Sequence, residues 1–501
     1  MHPGETDRRA WLRTIPAGLA AVLFIGAAVG VRLHRIAEPP FDFHPTRQFH
    51  AAIIARSLDL LARADTPARL RSVAETNLSR EPILEPPLLE HVAIAGSRLL
   101  DGDYLLAVRV LSIFSWLLGA APLFAVARRS VGAFAAAIVA AVYLALPFGV
   151  LASRSFQPDP LMVSLSLVAI WAIVRHDEAP GPRTFAWAVG AGAAATFLKP
   201  PVAFFFLAGA FLSLAVARHG GRRAFVRADI LGFLGLTPVP ALLYAAHGIF
   251  VTGSLRGQSG SLLTLRWLGD PMFWHGWIEM LDRVLGVAVL SAAILGVALA
   301  EGRLRALLAG LWSGYVAFGL VFTYHIHTHD YYHLPALPIA ALSLAPLLER
   351  IGRPAGLALL AVPMAALPLL VRAGRMVNAA PDSAPRVQAL EAVGAQIGPT
   401  DRAVSLSQDY GLSLAYVGEV SSVPWPTHLD MRFARSRDQP VLAAPELLEQ
   451  MIRERGMEFF VVLDRAELAA QPELVSALRA HPLRAESEMY AIYELRAPRA
   501  D

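Results

Sequence analysis

The sequence predicts a polytopic α-helical membrane protein, with about eleven transmembrane helices and a small extracytoplasmic α/β domain at the C-terminal end. Composition is the first reason. Of 501 residues, 55% are hydrophobic and only 17% charged, and the mean hydropathy is +0.48. Soluble domains carry about 25% charged residues. Spacing is the second: apolar runs near spanning length recur at 15–31, 104–127, 132–151, 161–174, 185–198, 202–217, 230–251, 284–300, 306–324, 334–348 and 355–371. A helix crossing perpendicular to the bilayer takes ~20 residues, so the shortest runs, 161–174 and 185–198, are the weakest spans. The third is a change of texture beyond residue 373. There 403–406, 459–463 and 489–495 read as strands, and 385–397, 445–455 and 472–480 as helices, several opening on proline.

Arginine placement orients these elements. The N-terminal tail and the loops near 128, 175–183, 218–227, 303–305 and 350–353 carry 15 Arg, whereas the opposite short loops carry four Arg and Lys199. Cationic loops resist translocation, which places the first set in the cytoplasm. The loop 32–103, the loop 252–283 and everything after Arg372 then lie outside. The domain boundaries expected are 1–373 for a transmembrane catalytic domain carrying the outer loop 32–103, and 374–501 for the extracytoplasmic domain. Within the outer loop, 45–61 and 87–100 read as helices lying on the membrane surface, the first with Phe49, Ile53, Leu60 and Leu61 near one face. The basic N-terminal run lacks a small-residue cleavage site and reads as a retained first helix.

With no cysteine, disulfides, thiolate metal sites and cysteine nucleophiles are excluded. A net charge of +4 and a pI near 9.5 reflect cytoplasmic arginines facing anionic lipid headgroups and give no reason to invoke nucleic acid. The expected location is a bacterial-type inner membrane, crossed many times.

The polar residues of the spans gather at the outer ends and avoid the midplane. They are Asp42, His44 and Arg47; Glu85 and His91; Arg154 and Asp159; Lys199; and the run His325-Ile326-His327-Thr328-His329-Asp330-Tyr331-Tyr332-His333. Lys199 is the only lysine of the chain. An ammonium is a compact point charge with three rotatable donors and a natural phosphate binder. Lys199 and Arg154, with His329, Tyr331 and Tyr332, are candidates to hold a lipid-linked phosphate. Asp42, His44, Glu85 and Asp159 are candidates to accept a proton from a nucleophile or to hold a divalent ion, which stays open as a cofactor. Blander roles compete: Asp42, Glu85 and Asp159 also suit helix caps, Arg154 also suits snorkelling to headgroups, and the His and Tyr run also suits interfacial anchoring. His325, His327 and His329 alternate while His329 and His333 have helical spacing, so no single secondary structure presents all four to a metal.

At these residues the chain resembles the membrane-embedded glycosyltransferases of the GT-C fold, family 39, which holds protein O-mannosyltransferases and the aminoarabinose transferases of lipid A. The likeness spans 15–371. It rests on Glu85-Pro86-Pro87-Leu88, similar to the family's Lys-Pro-Pro-Leu; on Arg154 through Asp159-Pro160-Leu161; on Phe197-Leu198-Lys199-Pro200-Pro201, similar to Leu-Thr-Lys-Gly-Pro; and on Tyr331-Tyr332-His333-Leu334-Pro335, similar to Tyr-Tyr-x-x-Pro. The resemblance implies a polyprenyl-phosphate sugar donor, an inverting transfer on the extracytoplasmic face to a lipid, glycan or protein acceptor, and a base from the first outer loop. Where the family carries an Asp-Glu pair, this chain has His44 and Pro45, with Asp42 two residues earlier. Asp42 and His44 are therefore both candidates for the base. Two other classes stay open: a non-catalytic assembly or binding protein of envelope glycan synthesis, and a lipid or oligosaccharide transporter, against which the bare midplane argues.

Overall fold

Proline decides where many of these helices stop and start. A residue before proline is pushed out of the α region, and proline itself suits the first helical turn. Thus Leu146 ends the helix Ala133–Ala145, and Pro147 opens Pro147–Ala152. In the same way Pro182–Leu198 ends at Lys199, and Pro200–His219 begins on the next residue. The structure, a computed structural model, describes residues 19–256, 265–351, 358–436 and 439–495. It divides into two units. One runs to Ile36, resumes at Leu84–Leu89 and continues over Val108–Ala379; the other comprises Ala37–Ile83, Glu90–Ala107 and the residues from Ala380 on.

The first unit is helical. Among the described residues six helical segments are long and apolar enough to cross a membrane: Leu106–Ala127, Asp159–Glu178, Pro200–His219, Ala228–Val251, Gly302–Val321 and Asp330–Arg350. A seventh is reached if Pro271–Leu285 and Val287–Leu299, which meet at a 96° bend, count as one span. The described residues thus show six or seven such segments where eleven were expected. Hydropathy measures apolar length and not straightness, so the run 132–151 folds as two short helices broken at Pro147. The run 185–198 lies in a helix of 17 residues, shorter than the ~20 that a perpendicular crossing takes. The expected spans at 15–31 and 355–371 fall partly outside the described residues. Pro200–His219 and Gly302–Val321 approach each other closely. A Cβ on Gly310 would lie 2.3 Å from the Gly209 carbonyl oxygen, so backbone meets backbone there. Such small-residue contacts hold helices together where lipid supplies no hydrophobic drive.

The second unit is built on a five-stranded mixed sheet. Its strands are β1 (Thr400–Leu406), β2 (Val420–Pro424), β3 (Phe459–Val462), β4 (Leu483–Glu486) and β5 (Ala491–Glu494), in the order β2-β1-β3-β5-β4. β1 pairs in parallel with β2 and β3, and β5 pairs antiparallel with β3 and β4. Alternation sends Val404, Leu406, Phe460 and Val462 to one core with Trp425, and Ala403, Val461 and Ile492 to the other with Leu390 and Val393. Part of the first outer loop belongs to this unit. On the helix Pro45–Ala62, Phe49 and Ile53 pack against Leu412 and Ala415, so protein covers a face that the sequence assigns to lipid. Arg80 donates to Ser421 Oγ and to the Asp401 carbonyl, both at 3.0 Å, and Arg56 donates to the Tyr416 carbonyl at 2.6 Å.

Candidate active site

The Lys-Pro-Pro junction places Lys199 between two helices with its backbone extended (φ −148°, ψ 85°). Its side chain is 2% exposed. Nζ donates to Asp159 Oδ1 at 2.5 Å and lies 4.6 Å and 4.7 Å from the ring centres of Tyr331 and Tyr332. Asp159 opens the helix Asp159–Glu178, with Pro160 following it, and is fully buried. The two tyrosines sit on the short turn Asp330–His333, their rings 4.7 Å apart. Four of the residues named from the sequence therefore meet: an ammonium held by one carboxylate and flanked by two aromatic faces, the arrangement of a cation–π site. Asp159 meets Lys199 as a counter-ion, and the ammonium has three donors in all to distribute.

The tyrosine turn is itself braced. Trp277 Nε1 donates to Tyr315 Oη at 2.9 Å, Tyr315 Oη lies 2.6 Å from His333 Nδ1, and His333 Nε2 lies 2.7 Å from the Ile326 carbonyl. A carbonyl only accepts, so Nε2 carries the proton and Nδ1 accepts from Tyr315. His333 is thus committed to structure. His325 and His327 lie on the helix Thr323–Thr328 rather than on an extended segment. His327 Nδ1 turns back to the Thr323 carbonyl, and His329 Nδ1 to Thr328 Oγ1, both at 2.6 Å. Among the described residues no three His, Cys, Asp or Glu side chains come together to hold a metal ion. The histidine run does not fit such a group.

Arg154 is 2% exposed and donates to the His34 carbonyl at 2.7 Å, which rules out snorkelling to headgroups. Two further buried arginines tie the same segment. Arg109 Nε donates to the Arg154 carbonyl at 2.8 Å and Nη1 to the Ile36 carbonyl at 2.5 Å. Arg32 spreads its donors over Ser153 Oγ (2.8 Å), the Leu144 carbonyl (2.8 Å) and the Ala28 carbonyl (3.0 Å). Between Arg154 and Asp159 sits Gln157, 1% exposed, whose amide nitrogen and oxygen both lack a partner among the described residues. Buried amides are normally satisfied, so one with four unused hydrogen-bonding sites is prepared for a polar ligand. Sequence reasoning missed Gln157, Arg32 and Arg109. Phe-Gln-Pro-Asp carries no motif that singles out its glutamine, Arg32 reads as a charge of the loop 32–103, and Arg109 lies inside the apolar run 104–127 without a motif around it.

Glu85 is half-buried, with its carbonyl accepting from Tyr244 Oη at 3.0 Å. Asp42, His44 and Arg47 belong to the second unit. His44, and not Asp42, is the cap residue of the helix Pro45–Ala62. It holds a left-handed backbone (φ 44°, ψ 59°) without capping the helix through its side chain. That conformation costs a residue with a Cβ about 1–2 kcal/mol and tends to survive where a side chain must be aimed. Arg47 donates its backbone N–H to the His44 carbonyl at 3.1 Å, within the first turn.

The architecture is that of a multi-pass membrane protein, with a fold similar to that of the GT-C glycosyltransferases. Residues 85–244 match the family model described as dolichyl-phosphate-mannose-protein mannosyltransferase, a stretch that contains Glu85, Arg154, Asp159 and Lys199. Among solved structures, the chain is similar to ArnT from Cupriavidus metallidurans in the apo state, with a TM-score of 0.62 at 15% identity over 94% of this chain and 97% of that one. The same protein bound to undecaprenyl phosphate gives 0.56 at 15% identity, over the same shares of both chains. The Archaeoglobus fulgidus oligosaccharyltransferase complexed with zinc and sulfate gives 0.53 at 14% identity, covering 88% of this chain and 67% of that one. At such identities the likeness is one of fold. No curated protein sequence matches the chain.

Proposed function

We propose that this protein is an inverting glycosyltransferase that moves one sugar from a polyprenyl phosphate to a hydroxyl or amine of a lipid, glycan or protein acceptor. It would act at the outer face of a bacterial-type inner membrane. The observation that carries the reading is the buried Lys199–Asp159 pair between Tyr331 and Tyr332, at a helix junction of a GT-C fold. The undecaprenyl phosphate named for the ArnT structure and the dolichyl phosphate named for the matched family both support a polyprenyl-phosphate donor. An apolar cavity of ≈ 410 Å³, lined by Trp274, Trp277, Leu281, Trp312 and Val316 among others, offers a berth for the first isoprene units.

In the reaction, the acceptor's lone pair forms a bond to the anomeric carbon as the carbon–oxygen bond to the phosphate breaks. The polyprenyl phosphate leaves with that electron pair, and the acceptor's proton passes to a base. Lys199 lowers the barrier by meeting the charge that grows on the leaving phosphate. Asp159 aims Lys199, the two tyrosines wall it, and Gln157 binds a phosphate oxygen or sugar hydroxyl. Arg154 fixes the backbone of the segment that carries Gln157. Asp42 or His44 is the base. Either side chain can take the proton, and His44 is the one whose backbone strain marks it out.

The test incubates purified protein with radiolabelled polyprenyl-phosphate sugars and membrane extract, comparing wild type with Lys199→Ala, Asp42→Asn and His44→Ala. Transfer by wild type, abolished in Lys199→Ala and in one of the two base variants, is the expected result. Undiminished transfer by Lys199→Ala, or none by wild type with any donor, removes the proposal.

A further inference from the structure

The sheet unit holds a polar cavity of its own, of ≈ 430 Å³, within the ~300–1,000 Å³ that small-molecule pockets occupy. Its walls come from the helix His428–Ser436, from residues 441–444 and from the start of the helix Pro472–Leu478. One wall is fixed by a buried network. Glu467, 3% exposed, takes the His428 backbone N–H on Oε1 at 2.6 Å and lies 2.7 Å from His428 Nδ1 through Oε2. Gln471 Nε2 donates to Glu467 Oε1 at 2.8 Å and to the Pro426 carbonyl at 3.1 Å, while Gln471 Oε1 accepts from Trp425 Nε1 at 2.8 Å. Burial alone would raise the Glu467 carboxyl, but the bonds from Gln471 and from the His428 backbone and ring outweigh it and hold the group below the usual carboxylate range. An ionised Glu467 only accepts, so Nδ1 carries the ring proton and Nε2 is left without a partner among the described residues.

The charge at this cavity is cationic, and no ion pair among the described residues offsets it. Arg402, Arg453, Arg465 and Arg484 are each paired with a glutamate. Arg432 and Arg435 line the cavity, follow His428 at helical spacing, and have neither hydrogen-bond nor ion-pair partner among the described residues. The remaining ionised lining group is Glu473, which is exposed. Two free guanidinium forks suit a carboxylate or phosphate. A bare anion, however, would face the Glu473 carboxylate, which seeks donors. A body carrying hydroxyls supplies those donors, and Met431, Leu442 and Pro472 give it apolar contact.

We propose that this cavity binds a sugar anion, a uronic acid or a sugar phosphate, with Arg432 and Arg435 on the charged group and His428 Nε2 on a hydroxyl. The site lies wholly within the sheet unit and stands independently of the transferase reading. Full-length protein in detergent would be titrated calorimetrically at low salt with glucuronate, glucose 1-phosphate, glucose and inorganic phosphate. The expected result is saturable binding of glucuronate or glucose 1-phosphate, about tenfold weaker or more for glucose, for inorganic phosphate and in Arg432→Gln/Arg435→Gln. His428→Gln should weaken the sugar anions and leave inorganic phosphate unchanged. Both arginines are exposed and outside the buried network, so the double variant should melt with wild type. Failure of both sugar anions to bind, equal binding by the double variant, or inorganic phosphate binding as tightly as glucose 1-phosphate overturns the proposal. So does arginine-dependent binding to phosphatidylglycerol vesicles with no response to either sugar anion, which would make the ligand a lipid headgroup.

Discussion

Lys199 and Asp159 show how a buried ion pair separates stability from chemistry. Removing one partner leaves the other charge buried and uncompensated, which costs about 3–5 kcal/mol, whereas replacing both by apolar groups is often neutral. Lys199→Met and Asp159→Asn should therefore each lower the melting temperature in detergent. Lys199→Met with Asp159→Leu should recover most of the loss while sugar transfer stays absent. A double variant that recovers transfer together with stability would show the pair to be scaffolding. Gln157 gives the opposite signature. Its amide makes no hydrogen bond among the described residues, so Gln157→Leu should hold or raise stability and cut transfer by about tenfold or more, the worth of one or two polar contacts. If transfer is unaffected, the amide meets no substrate. Lys199 was legible in the sequence because it is the only lysine and sits before Pro-Pro, and Tyr331-Tyr332 because they adjoin a rare polar run at a membrane end. The pairing of Lys199 with Asp159 was not legible. Forty positions separate them, and only the packing of two helix ends joins them.

Elements read well from sequence where they bury most. The expected strands at 403–406, 459–463 and 489–495 correspond to β1, β3 and β5, the three inner strands of the sheet. The two that went unread are its edges: β2 carries two serines and a proline, and β4 is a largely exposed Leu-Arg-Ala-Glu. Edge strands bury one side less and so carry less pattern. Helix contacts left even fainter marks, since glycine in an apolar run looks the same at an interface as facing lipid. Gly310→Leu should force Gly302–Val321 off Pro200–His219 and sharply lower the yield of folded protein, while Gly190→Leu, with open space around it, should be tolerated. Equal behaviour of the two variants on size-exclusion chromatography would refute the contact. In the sheet unit the sign of one pH effect follows from Glu467. Its carboxyl is held below the value of 4.5 usual for the group, so its contribution is present above that value and lost as pH falls through the folded-state pKa. Amide exchange in the helix His428–Ser436 should accelerate on acidification below about pH 4.5, the unperturbed range of a glutamate. Glu467→Gln should show fast exchange already at pH 7.

For the molecule as a whole, the number of crossings and the side on which the sheet unit lies are one question. Arginine placement predicts the N-terminal tail inside and everything after Arg372 outside, and opposite sides demand an odd number of crossings. Eleven satisfies this, as does seven with the bent pair taken as one span; six does not, unless shorter helices such as Leu19–Leu33 or Ala133–Ala145 also cross. Sequence patterning saw the apolar lengths but not the breaks that proline and the 96° bend impose, which is why the expected count exceeds the six or seven long apolar segments of the described residues. A chain with no cysteine makes the answer direct, because each introduced thiol is the only one present. Ser476→Cys, on the exposed face of the helix Pro472–Leu478, and Ser130→Cys, in the loop after Leu106–Ala127 beside Arg128 and Arg129, report the two sides. A membrane-impermeant maleimide should label the cysteine at 476 in intact spheroplasts and the cysteine at 130 only after lysis. Labelling of 476 only after lysis would put the sheet unit in the cytoplasm. An even number of crossings would then follow, and the donor phosphate, the base and any extracytoplasmic acceptor would have to be reassigned together.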